Sequence, residues 1–264
     1  MRTPAALTAL LTLAACTPDG DTADTGTPSV EERCGGDELP VTIPTHDGEE
    51  LAGDWWPGPD AEGGVIILFH DQGRDRSDHP QRVRAALRNA GVAVLNLDRR
   101  GHGESTGTAE AALNGTGALA DAEAAVDFLL SSERPCPVSE DSLVLLGAGA
   151  GTAPTFDYLR LRGPEQPQPA AMVWLSPAEV TTTNQDDLAQ IVVDDRASVS
   201  LPMLWLYGES ETYAQAFITA DVPGAWIFVE QGTESGSAMF DGGDLEEQTL
   251  ASILDFVEAS QTQD

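Results

Sequence analysis

The sequence contains no lysine and has little positive charge. Its 13 basic residues are all arginines, they stand against 44 aspartates and glutamates, and the formal net charge is −31. Nucleic acids and anionic lipid headgroups attract basic surfaces, so this balance argues against both as partners. We interpret the acidic residues as a solvated exterior suited to salty surroundings rather than as a functional acidic patch.

Long apolar runs are absent after the first residues. Residues 1–15 read MRTPAALTALLTLAA, with Arg2 before an apolar stretch, and predict a secretory signal peptide too short to cross a bilayer as a mature helix. The next residue is Cys16, and LAAC resembles a bacterial lipobox. The resemblance implies that Cys16 is acylated and anchors the protein in the bacterial cell envelope, on the periplasmic or outer surface. The alternative is an ordinary cleaved signal followed by an unmodified cysteine.

Residues 16–33 contain almost nothing apolar. Their Thr, Asp, Pro and Gly content predicts an acidic flexible tether, because such a segment cannot bury enough surface to fold. Residues 34–264 are long enough for one sizeable domain with a filled core.

Cysteine is scarce, with three residues in the chain. Besides Cys16 there are Cys34 and Cys136, and an even pair in an exported chain indicates a disulfide. The alternative is two free thiols.

Apolar runs alternate with helical patterns through the domain. GVIILFH (64–70) is typical of a strand buried on both faces, whereas the spacing of Val83, Leu87 and Ala90 predicts a helix. The N-terminal stretches LPVTIPTHDG and EELAGDWWPG are predicted to pair as strands. Further strands are predicted at 92–98, 142–147, 170–176, 202–208 and 225–230, and further helices at 118–132 and 245–260. This order indicates a mostly parallel central sheet flanked by helices, and the short segment 177–187 leaves room for little or no lid.

Three segments carry a family resemblance. NLDRRGHGES (96–105) resembles a strand-end segment of α/β-hydrolases, and IILFHDQGRDRSDH (66–79) resembles the strand that carries their H-G-x-G oxyanion segment. LVLLGAGAG (143–151) stands where the nucleophile elbow G-x-S-x-G is expected. The ordered series covers roughly 39–260 and implies the α/β-hydrolase fold.

The resemblance also gives the positions of the catalytic triad. The nucleophile position falls on Gly149, the acid position on Glu211 within GESETYA, and the base position on Ser235 within QGTESGSAMF. Glycine has no side chain, and no histidine follows His102. Two of the three catalytic groups are therefore missing, and no other G-x-S-x-G occurs in the chain.

The backbone of the family's oxyanion hole is still expected. Its donors map to Ala150 and to Asp71 or Gln72, and they would bind only a carbonyl or carboxylate once the nucleophile is lost. Asp71 replaces the first glycine of H-G-x-G, and its carboxylate would oppose even that binding. Gly149 is expected at positive φ, where glycine relieves the strain that a catalytic serine carries.

Other candidate catalytic groups are less well supported. His70 and His102 lie near the expected site but have no nucleophile to activate, and we interpret His102 as a loop hydrogen-bonding residue. Ser176 follows a predicted strand and is interpreted as a hydroxyl at the strand end. No pair of histidines has the spacing of metal ligands, so neither a metal nor another cofactor is predicted.

Three functions remain open. The first is an exported α/β-hydrolase-fold lipoprotein without catalysis, which binds a small molecule or an envelope protein. The second is an active hydrolase of ester, thioester or amide bonds with an unrecognised nucleophile. The third is a tethered acidic module that acts through its exterior. The missing nucleophile and base favour the first.

Overall fold

The computed structural model describes residues 34, 36–59, 64–113, 115–131, 136, 138–177, 201–211 and 226–261. In these residues the chain forms an eight-stranded sheet. The strands are β1 (Leu39–Pro44), β2 (Glu50–Trp56), β3 (Val65–Phe69), β4 (Ala93–Leu97), β5 (Leu143–Ala148), β6 (Ala171–Leu175), β7 (Met203–Tyr207) and β8 (Trp226–Glu230). Their order across the sheet is β1-β2-β4-β3-β5-β6-β7-β8.

The sheet is parallel from β4 to β8 and antiparallel at the N-terminal end. Strands β1 and β2 pair as the sequence predicts, with Leu39 opposite Trp55, and β2 runs antiparallel to β4. The other neighbouring strands run parallel. The predicted α/β-hydrolase fold, a mostly parallel sheet flanked by helices, is confirmed.

Successive residues of the buried strands point to opposite sides of the sheet, so both faces are apolar. Helices cover both faces. In the described residues the helices are α1 (Gln81–Asn89), α2 (Gly115–Leu130), α3 (Thr152–Leu161) and α4 (Gly243–Gln261). In β3, Ile67 and Phe69 face one core together with residues of α2 and α3, while Ile66 and Leu68 face a second core with α1 and α4.

The two cysteines of the domain lie together. The Cα atoms of Cys34 and Cys136 are 4.9 Å apart and their Sγ atoms are at disulfide distance, 2.15 Å. This bond joins the start of the domain to the segment before β5. The signal segment, Cys16 and the tether lie outside the described residues, as does most of the segment where a lid was sought. Within the described residues, no helix combines the length and apolarity needed to cross a bilayer.

Candidate active site

The segment around Gly149 has the backbone shape of a nucleophile elbow. Strand β5 ends at Ala148, one 3₁₀ turn covers Gly149–Gly151, and α3 begins at Thr152. Gly149 has a φ of +48°. A non-glycine residue held in this left-handed region costs about 1–2 kcal/mol, so glycine adopts without strain the conformation that a catalytic serine adopts under strain.

The carboxylate of Asp71 fills the space beside Gly149. A Cβ atom at position 149 would lie 2.2 Å from Cγ and 2.2 Å from Oδ1 of Asp71. Carbon atoms are at their optimal separation near 3.5–4.0 Å, so a side chain at 149 would have to displace Asp71. The loop after β3 therefore delivers an acid group to the place where the elbow normally presents its own hydroxyl.

Two backbone donors of the expected oxyanion hole bind this carboxylate. The N–H of Gln72 donates to Asp71 Oδ1 at 2.6 Å, and the N–H of Ala150 donates to the same oxygen at 2.7 Å. We call these two amides the nest. The sequence indicated both donors, and it indicated that Asp71 would oppose a bound anion. It gave no sign that the Asp71 carboxylate is itself the anion that the nest holds.

The expected base loop closes onto the same carboxylate. Ser235 is extended with a φ of −132°, and Gly236 follows with a φ of +57°. A Cβ atom on Gly236 would lie 3.2 Å from Asp71 Oδ2 and 3.6 Å from the backbone nitrogen of Gly149. The elbow and the base loop thus meet with Asp71 between them. Neither Ser235 nor Gly236 offers a proton acceptor that titrates near neutral pH, as an imidazole would.

A second acid, Asp78, links the base loop to the segment after β3. The hydroxyl of Ser237 donates to Asp78 Oδ2 at 2.7 Å. Burial raises the pKa of the Asp78 carboxyl and the charge of Asp71 adds to this effect, while the Ser237 hydroxyl and a backbone hydrogen bond from Asp71 oppose it. Of the two donors expected from this loop, the N–H of Gln72 is the one that binds within the nest.

Glu211 lies in the turn after β7, at the expected acid position. Its N–H donates to the Gly208 carbonyl at 3.0 Å. Both of its carboxylate oxygens are buried, and one lies 3.5 Å from where a Cβ of Gly208 would stand. In a triad the acid orients the imidazole base, but the chain has Ser235 at the base position.

The two histidines near the site, His70 and His102, form hydrogen bonds with backbone groups. His70 is fully buried; its Nε2 accepts the N–H of Arg99 at 2.9 Å, and its Nδ1 lies 2.6 Å from the Asp71 carbonyl. These partners assign the proton to Nδ1. Burial lowers the pKa of His70 to about 3, so it stays neutral. His102 places Nδ1 2.9 Å from the Arg100 carbonyl, in line with its interpretation as a loop residue.

Arg99 is a buried cation that the sequence did not single out. Its guanidinium donates to the carbonyls of His70 at 3.2 Å and Ala112 at 2.9 Å. Burial lowers its pKa to about 10, and the charges of Asp121 and Asp71 act against that shift. Arg99 therefore holds the backbone directly after β3, next to Asp71. The only sequence signal was its place in the DRRGHGES segment.

Ser176 has an unusual backbone for its residue type. It follows β6 with a φ of +53°, is the one described non-glycine residue at positive φ, and is 2% exposed. Its hydroxyl makes no hydrogen bond within the described residues. Because Ala148 pairs with Leu175, Ser176 and Gly149 each follow the last paired residue of adjacent strands. No group of three or more metal-ligating side chains was found in the described part of the chain.

Comparison with known proteins places these features in a family. A family model described as serine aminopeptidase, S33, matches residues 61–193, half of the chain. An esterase from Pyrococcus furiosus is 17% identical, with a TM-score of 0.65, over 89% of this chain and 95% of its own.

Other solved structures give the same result. An alpha/beta hydrolase from Penicillium sp. is 16% identical, with a TM-score of 0.63, over 85% of this chain and 99% of its own. An esterase from Exiguobacterium antarcticum is 14% identical, with a TM-score of 0.58, over 83% and 100%. At such identities the likeness concerns the fold. No curated protein matches the chain.

Proposed function

Since the chain belongs to the S33 serine aminopeptidase family of α/β-hydrolases, we propose that it is a member without serine-dependent hydrolysis. The observation that carries this proposal is the elbow itself, where Gly149 has no side chain and the Asp71 carboxylate takes the space beside it. Removing the nucleophile or the base of a serine hydrolase costs a factor of about 10⁶ in kcat. Here Gly149 and Ser235 stand at those two positions.

The oxyanion donors add a second, independent argument. Losing one such donor costs a factor of about 10²–10³ in kcat, because the donors stabilise the charge of the tetrahedral intermediate. In this chain the N–H groups of Gln72 and Ala150 already bind Asp71 Oδ1. A substrate carbonyl at the elbow would have to compete with a fixed carboxylate.

We further propose that the protein works in the cell envelope as a tethered binding module. The signal-like residues 1–15, Cys16 and the acidic tether support export and acyl anchoring. A small molecule or another envelope protein is the proposed partner. The net charge of −31 supports neither nucleic acid nor an anionic lipid surface.

The competing candidate is an active hydrolase that uses another serine. Ser176 favours it, because a strained backbone and a buried hydroxyl without a hydrogen bond in the described residues are features that occur at functional sites. The candidate would still need a base for Ser176.

Covalent labelling separates the two candidates. The purified full-length protein is treated with a fluorophosphonate probe, and p-nitrophenyl acetate hydrolysis is followed in parallel. We expect no label and no turnover above buffer. A label that disappears in Ser176→Ala but persists in the control Ser260→Ala, at the end of α4, would overturn the proposal and establish the competing function.

A further inference from the structure

We propose that the nest formed by the Gln72 and Ala150 amides is an intact carboxylate-binding site which the protein keeps occupied with its own Asp71. The proposal rests on the proposed function, because a working elbow needs these donors free. It also goes beyond that function: it assigns the nest a ligand class, carboxylates, and gives Asp71 the role of an internal ligand that excludes them.

The contacts at the nest are those of a bound anion. Oδ1 of Asp71 accepts two N–H groups, one at 2.6 Å from the next residue, Gln72, and one at 2.7 Å from Ala150, 79 residues further along the chain than Asp71. Hydrogen bonds to a charged acceptor are roughly twice as strong as neutral ones. Hydrolysis of an ester leaves a carboxylate product beside the same donors, so Asp71 occupies the nest as a product would.

The surroundings hold Asp71 in this place. Its carbonyl lies 2.6 Å from His70 Nδ1, and the His70 carbonyl accepts a hydrogen bond from the buried guanidinium of Arg99. On the other side, a Cβ atom on Gly236 would lie 3.2 Å from Asp71 Oδ2. The backbone around Asp71 is therefore anchored, and rotation of its side chain is the movement that would free the donors.

An internal ligand has a large advantage over a free one. A group attached to the same chain acts at an effective concentration in the millimolar range or above, without the entropy cost of association. Acetate or another free carboxylate therefore competes poorly while Asp71 is present. Removing the Asp71 side chain leaves the two amides unpaired and open to the same chemistry from outside.

The test is a titration of the ¹⁵N-labelled full-length protein with sodium acetate, observed at the amide signals of Gln72 and Ala150. In Asp71→Gly we expect saturable shifts of both signals, with an apparent affinity for acetate at least tenfold above that of the wild type. Asp71→Ala keeps a side-chain carbon and guards against a loop that glycine alone disorders. Asp75→Asn is the matched control, because it removes one charge from the same loop without touching the nest.

Each outcome has a definite meaning. Shifts in the wild type as large as those in Asp71→Gly would overturn the proposal, because the nest would then be open. Unresponsive amides in both Asp71 variants would overturn it as well, because the nest would not bind carboxylates. A response of Asp75→Asn equal to that of Asp71→Gly would also overturn the proposal, because the loss of one negative charge from the loop would then explain the acetate binding. Failure of the proposed function would appear separately, as phosphonate labelling of the wild type.

Discussion

Replacing Gly149 by alanine tests whether Asp71 and the elbow depend on each other. The new Cβ would lie 2.2 Å from Cγ of Asp71, so the carboxylate must leave the nest. Two costs add. Left-handed backbone at a non-glycine residue costs about 1–2 kcal/mol, and two hydrogen bonds to a charged acceptor contribute about 1.5–3 kcal/mol each, part of which water restores because Asp71 is half-exposed. We expect Gly149→Ala to lower the free energy of unfolding by about 3–5 kcal/mol.

The strain can be measured by itself. Gly73 lies in the same loop as Asp71, has a φ of +71° and would meet nothing within 4 Å if it carried a Cβ. Gly73→Ala should therefore cost only the strain, about 1–2 kcal/mol. The difference between the two alanine variants then measures the contact with Asp71.

A double-mutant cycle with Asp71→Ala gives the decisive number. With the carboxylate removed, Gly149→Ala should cost about as much as Gly73→Ala, which makes the coupling between positions 71 and 149 about 2–3 kcal/mol. The assay is urea unfolding of the four proteins at pH 7, followed by circular dichroism. Independent sites add within about 0.5 kcal/mol, so a coupling below that value would refute the reasoning.

Three further predictions concern the site, the acid response and the disulfide. Gly149→Ser alone should give no phosphonate labelling and no ester turnover, because its hydroxyl meets Asp71 and has no base; turnover above buffer would contradict this. Burial lowers the pKa of His79 from 6.5 to about 4, so the stabilisation from its neutral form is complete above pH 6.5 and is lost as the pH falls. Between pH 7 and 4.5 the free energy of unfolding of the wild type should therefore fall by about 2–3 kcal/mol more than that of His79→Gln. Parallel stability profiles of the two proteins would contradict this. Cys136→Ser opens a link with a sequence separation of 102 residues and should cost about 4–5 kcal/mol in the chain-entropy model, against little change for Ser142→Ala, by thermal or urea unfolding.

Much of the fold follows from local pattern. Every predicted strand is present in the described residues, because a run such as VIILF must be buried on both faces and a parallel sheet is where such runs fit. Helix α2 shows the limit. It begins at Gly115, three residues before the predicted start at Ala118, although glycine is a poor helix former. A Cβ on Gly117 would lie 2.1 Å from the Ala111 carbonyl, so packing against the preceding turn selects glycine there, and that contact is not visible in the sequence.

The site divides in the same way. The absence of a side chain at Gly149 and of an imidazole at Ser235 can be read directly, because each is a matter of residue identity within a recognisable motif. The position of the Asp71 carboxylate cannot be read from the sequence, because it depends on a hydrogen bond from the N–H of Ala150, 79 residues away. The sequence predicts that Asp71 opposes a bound ligand, whereas in the structure its carboxylate is the group that the nest binds.

The geometry makes a return to catalysis depend on several changes together. A serine at 149 needs the space that Asp71 holds, and removing Asp71 frees the donors of Gln72 and Ala150 but supplies no nucleophile. A histidine at 235 would enter a loop whose next residue, Gly236, lies so close to the site that a Cβ atom on it would be 3.2 Å from Asp71 Oδ2. Each single substitution thus costs stability or leaves the chemistry absent, and none restores turnover alone. The absence of a side chain at Gly149 leaves the space that the Asp71 carboxylate fills, and the carboxylate in that space excludes a side chain at position 149. The two residues therefore depend on each other.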